Sequence, residues 1–135
     1  MNNEEKKQYL HRYQDAKRRA ALLLEQIEEL RSSKTSPISV CDGMPHGNRT
    51  SDLSGYVARL DELLRELEAE REIQMIAFRE IKNQIDQVGN SNEKEILTRR
   101  YILGQNWTKI ADEMEYGYRQ VLRIHGFALK NFVCK

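Results

Sequence analysis

The residues best suited to chemistry lie near the C-terminal end of the chain. From Gly117 onward there are four basic residues, Arg119, Arg123, Lys130 and Lys135, and no acidic one. On a helix expected over 118–132, Tyr118, Arg119, Gln120, Arg123 and Lys130 fall outside the apolar face formed by Val121, Ile124, Ala128, Leu129 and Phe132. Guanidinium and amide groups on a helix match the donor and acceptor edges of base pairs in a major groove, and an ammonium suits phosphate. These five are therefore the candidate DNA-binding residues, with Arg119 and Arg123 nearest the base edges. The competing reading of the same stripe is a solvated surface used for protein contacts.

Other chemistry finds little support. Cys41, Asp42 and His46 stand close together, but no fourth ligand follows at a recognisable spacing, so no metal is expected. The carboxylates of residues 61–72 recur as a helix surface does. Cys41 and Cys134 are far apart and read as free thiols. No Gly-rich phosphate loop, paired His ligands or Ser/His/acid arrangement is present, so neither an enzyme nor a cofactor is expected.

The elements that must position the basic stripe are helical. Charged residues make up 32% of the 135 and aromatics only 7%, with two prolines, a profile that favours helices over a β-sandwich. A first helix is expected from about Glu4 to Arg31. Its Tyr9, Tyr13, Ala16, Ala20, Leu23, Ile27 and Leu30 form a coiled-coil-like seam, widened by Leu10, Leu22 and Leu24. Residues 32–51 hold both prolines and a run of Ser, Thr and Asn, which predicts a long loop. A second helix, capped by Ser51 or Asp52, should run to Val88 and stop at Gly89-Asn90. Its apolar stripe is interrupted between Leu67 and Ile73, which predicts a stutter or bend.

Three shorter helices should follow. Asn92 and Glu95 read as a capping box for the first, which reaches Gly104. The second runs from about Thr108 to Met114, and the turn Glu115-Tyr116-Gly117 leads into the third. Ala111 is the small residue where two helices touch, with Met114 and Tyr116 pointing back to a core completed by Val121 and Ile124. Trp107 and Tyr101 are expected in that core, Arg100 beside Glu113 or a phosphate, and His125 on the solvent or phosphate side. The fold class is thus all-α, with long coiled-coil-like N-terminal helices (1–90, loop at 32–51) and a C-terminal trihelical helix-turn-helix unit (91–135).

On these residues the stretch from Glu95 to Leu129 resembles the promoter-reading region of bacterial sigma factors. The likeness rests on Ile96, Leu97, Arg100-Tyr101, Gly104, Trp107, Ile110-Ala111, Glu113-Met114, Tyr116, Val121, Ile124 and Ala128-Leu129. With Tyr9-Leu10, Tyr13, Ala16, Asp42-Gly43-Met44-Pro45, Ser51-Asp52-Leu53 and Tyr56-Val57, most of the chain is similar to the RinA/ArpU-like late-transcription regulators of phages. Two positions depart from the pattern: Glu115 stands where the turn usually has Gly, and Gly117 where the recognition helix usually opens on Ser or Thr. The resemblance implies a sequence-specific regulator of phage or prophage genes, an activator acting on double-stranded DNA in the cytoplasm of a bacterial host.

Charge supports a division of labour. Residues 52–90 hold five basic and nine acidic side chains, a net of −4, while 91–135 hold eight and five, a net of +3. The alternative function is a helical interaction protein that docks on RNA polymerase or on a DNA-packaging component resembling a small terminase. The N-terminal seam predicts a homo-oligomer, with an intrachain antiparallel hairpin as the other solution. Residues after about 91 are expected to fold without residues 1–50. No apolar stretch is long enough to span a bilayer.

Overall fold

The structure, a computed structural model, describes residues 2–34 and 49–133, with side chains at 2–33 and 53–133. Among the described residues the protein is entirely helical and has no strand, as the sequence predicts. Helix α1 spans Asn3–Lys34 and α2 spans Arg49–Asp86; α3 (Ser91–Leu97) runs into one turn of π-helix (Thr98–Ile102), and α4 (Trp107–Met114) and α5 (Tyr118–Asn131) follow. The expected loop is shortened at both ends, since residues 32–34 and 49–51 are helical. Ser33 stays in the helix by donating from Oγ to the Leu30 carbonyl at 2.9 Å, the back-bonding that lets a hydroxyl residue sit in a last turn. Cys41, Asp42, His46 and Cys134 lie outside the described residues.

Contacts divide the chain into two compact units, one comprising residues 1–16 with 73–135 and the other 17–72. The division crosses α2 where its apolar stripe changes phase, although α2 is α-helical throughout. In the 17–72 unit, α1 and α2 run antiparallel. Ala20, Leu23 and Ile27 bury themselves against Leu67, with Leu60 and Leu63 alongside, and Arg19 meets Glu70 at 3.0 Å. The coiled-coil seam is therefore filled within the chain, by the hairpin solution. Leu22, Leu24, Leu53, Val57 and Leu64 remain exposed.

The larger unit has two clusters. Leu10 of α1 packs with Ala77, Ile81 and Ile85 of α2, with Val88, and with Leu97, Tyr101, Ala128, Leu129 and Phe132. Ile96, Ile110, Ala111 and Val121 form a second cluster, flanked by Trp107, Met114 and Ile124. Fully burying a Leu, Ile or Phe stabilises by about 1.5–3 kcal/mol, so Leu10, Ile81 and Ile85 are integral to the unit that carries the basic helix.

Candidate nucleic-acid interface

The start of the helix-turn-helix unit is set by Asn90, not by the Asn92–Glu95 box. Asn90 is extended (φ −87°, ψ 127°) and its Oδ1 accepts from the backbone N–H groups of Asn92 and Glu93, taking two of the donors that a helix N-terminus leaves free. This frees the other polar side chains for longer contacts. Asn92 donates to the Tyr116 hydroxyl at 3.1 Å, Glu95 accepts from Arg99 at 2.7 Å, and the buried Glu93 accepts from Asn131 of α5 at 2.8 Å.

The π turn after Leu97 is the next unexpected feature. Leu103 N–H reaches back to the Thr98 carbonyl and Gln105 N–H to that of Arg99, so the usual ladder does not satisfy every carbonyl near its end. Gln14 of α1 compensates, donating from Nε2 to the carbonyls of Tyr101 (3.2 Å) and Ile102 (2.8 Å). Gly104 then turns the chain at φ +72°, and a Cβ there would stand 3.0 Å from Gln14 Oε1. The left-handed backbone calls for glycine, and a Cβ would also crowd the Gln14 amide that holds the π turn.

Helix α4 opens on Asn106, whose side chain accepts from Lys109 N–H at 2.8 Å, and ends in a Schellman turn. Tyr116 N–H donates to the Ala111 carbonyl and Glu115 N–H to that of Asp112, with Glu115 left-handed at φ 59°, ψ 37°. The geometry is the one glycine normally supplies; a residue with a Cβ holds it at a cost of about 1–2 kcal/mol. Tyr116 does not point into the core as expected but is 37% exposed, its hydroxyl held by Asn92. Gly117 then caps α5 without a side-chain bond.

His125 is the largest correction at residue level. It faces neither solvent nor phosphate: it is buried, and its Nε2 lies 2.8 Å from the Tyr101 hydroxyl. Burial, helped by the charges of Lys7, Arg100 and His11, pushes its pKa down to about 4. Burial also raises Tyr101 to about 12, partly countered by Arg100. At neutral pH the pair is therefore uncharged, and one hydrogen bond joins α5 to the π turn. Trp107 meets His125 edge-on at 4.6 Å. Its outer side is covered by the Arg100 guanidinium, 4.5 Å from the ring centroid, a cation–π contact. Trp107 is thus half-buried packing, and Arg100, which also donates to the Gln105 carbonyl, is spent on the fold instead of on Glu113.

With that frame fixed, α5 buries Val121, His125, Ala128 and Leu129. Tyr118, Arg119, Gln120, Arg123 and Lys130 are all exposed; the last four share one side of the helix, whereas Tyr118, seven residues before His125, stands at the first turn in line with the buried side. No ion pair among the described residues engages Arg119, Arg123 or Lys130. At the other end, Lys6 of α1 donates to the Leu129 carbonyl at 2.7 Å, capping the α5 C-terminus with a cation.

Two exposed neighbours were not singled out from sequence. Phe127 is 54% exposed and, with Tyr116, Gln120, Arg123, Ile124 and Asn92, lines a recess of about 370 Å³. Gly126 sits inside the helix on the outer face, where glycine is about 1 kcal/mol less favourable than alanine. Helical spacing alone would have placed both beside Arg123.

Among the described residues, no three His, Cys, Asp or Glu side chains group as metal ligands, and no helix is long and apolar enough to cross a membrane. No protein-family model, curated protein or solved structure matches the chain.

Proposed function

We propose that the protein is a sequence-specific DNA-binding transcription regulator, an activator of phage or prophage genes, that reads duplex DNA with α5. The observation that carries this reading is the exposed face of α5: three cations without ion-pair partners among the described residues, accompanied by Gln120, with Tyr118 exposed at the first turn, on a helix with no acid. Behind it stands a turn-linked pair, α4 and α5, held by Ala111 and Val121 in one cluster. A recognition helix presented in this way fits the width of a major groove. The sigma-like residues named above supply the link to promoters. Arg119 and Arg123 act on base edges, and Lys130 on the backbone.

Selection from a random-sequence duplex pool by the purified full chain tests the reading. A single enriched motif is expected, bound far more tightly than unrelated duplexes, with affinity that falls steeply as salt rises. Failure to enrich any sequence removes the proposal.

The second reading, an interaction protein docking on RNA polymerase or a packaging component, is favoured by the exposed Leu53, Val57 and Leu64 of α2. The two readings are compatible in an activator, whose arm would meet polymerase while α5 holds the promoter. Self-association belongs to the same surface, because the seam expected to dimerise is filled within the chain.

A further inference from the structure

Resting on the DNA-binding reading, we infer that α5 lies lengthwise against the duplex, with Gly126 as the point where the helix backbone touches the sugar-phosphate wall of the groove. Gly126 has no intramolecular reason to be glycine. Its backbone is helical without a positive φ, and a Cβ built on it meets nothing within 4 Å. Helix propensity disfavours it, and nothing among the described residues offsets that.

What surrounds it is informative. Arg119, Arg123, Gly126 and Lys130 follow one another at steps of four, three and four, so they form one row on the exposed face. The row spans roughly 16 Å at the helical rise. Its cations flank the one position at which the helix surface drops to the backbone, and α5 holds no acid. An α-helix with side chains is about as wide as the major groove, so a helix lying along the groove has little clearance, and a gap of this kind lets one strand approach the backbone most closely there. A helix that enters end-on, reading only with its first turn, would leave position 126 outside the interface. The neighbouring cations favour a polyanion over a protein helix as the body that fills the gap.

Gly55 of α2 provides an internal comparison. It too is helical and unopposed, but the charged residues at helical spacing on either side of it in the sequence, Asp52 and Arg59, are of opposite sign.

The test uses the full chain and a synthetic duplex enriched by it from a random pool. Gly126→Ala should raise the melting temperature by a few degrees yet weaken binding about tenfold, and Gly126→Leu should weaken it further. Gly55→Ala should also raise the melting temperature and leave binding unchanged. If both Gly126 variants bind as the parent does while Arg123→Ala is impaired, the lengthwise placement is overturned and the DNA-binding reading survives. If Gly55→Ala is as damaging as Gly126→Ala, the effect is not one of contact, and the inference also falls. A parent chain that enriches no duplex, or an Arg123→Ala variant indistinguishable from it, defeats the underlying reading itself.

Discussion

Arg119 and Arg123 are exposed, cationic and without ion-pair partners among the described residues, and their worth depends on what they meet. Arg119→Ala and Arg123→Ala should each cost about 1–3 kcal/mol on the selected duplex and relax preference at particular base pairs. Lys130→Ala should weaken all duplexes alike and flatten the salt dependence. Fluorescence anisotropy on matched and scrambled duplexes distinguishes the two patterns. His125 makes a different kind of prediction. Its pKa of about 4 in the folded chain lies below the 6.5 of an unperturbed histidine, so between these values the unfolded chain binds more protons. The neutral pair's contribution is therefore complete above about pH 6.5 and is lost as the pH falls towards 4, a change of about 3 kcal/mol. Denaturation midpoints across this window, compared with those of His125→Gln, should show the extra slope in the parent alone.

At the scale of elements, the basic helix is held by neighbours distant in sequence. Leu10 is fully buried, Lys6 caps α5, and Gln14 satisfies the carbonyls at the end of the π turn. The expectation that residues after about 91 fold without the first fifty overlooked this, because each contact joins opposite ends of the chain. Leu10→Ala should lose about 2–5 kcal/mol, and a chain that begins after Ala16 should show a much lower and broader thermal transition by circular dichroism. The turn offers the opposite sign. Glu115 carries left-handed strain that glycine would not, so Glu115→Gly should stabilise the fold by about 1 kcal/mol. A raised melting temperature with unchanged far-ultraviolet signal would verify it.

For the whole molecule, charge and apolar exposure are unevenly distributed between the long helices and the C-terminal stretch. The acidic 52–90 stretch is unsuited to a phosphate backbone, and its exposed apolar side chains point to protein contacts instead. Leu53, Val57 and Leu64, with the half-buried Leu60, recur at steps of four, three and four on α2. Symmetric packing of two such rows would join two copies of α5, raising the affinity of the proposed DNA binding through effective concentration. Light scattering should report a homo-oligomer at micromolar concentrations, dissociated by Val57→Glu combined with Leu64→Glu while helicity is kept. A parent chain that is monomeric under those conditions would leave the α2 row to another protein.

Apart from His125, the residues of α5 that face outward and inward were legible in the sequence, because a helical period assigns each side chain to a face without reference to the rest of the chain. So were the short turn between α4 and α5 and the left-handed strain at Glu115, which follow from local backbone sterics. Helix ends were placed to within a few residues, and Ser33 shows why they drifted: one side-chain hydrogen bond extends a terminal turn. What only the tertiary structure decided is which body covers each apolar face and which polar groups are drawn inside. Periodicity marks the α1 seam as buried but is silent on whether α2 or a second chain buries it. His125 is the exception on α5: four residues from both Val121 and Leu129, it falls on the buried face by period, but a polar ring suggests solvent until the tertiary structure supplies its partner, Tyr101, from another helix.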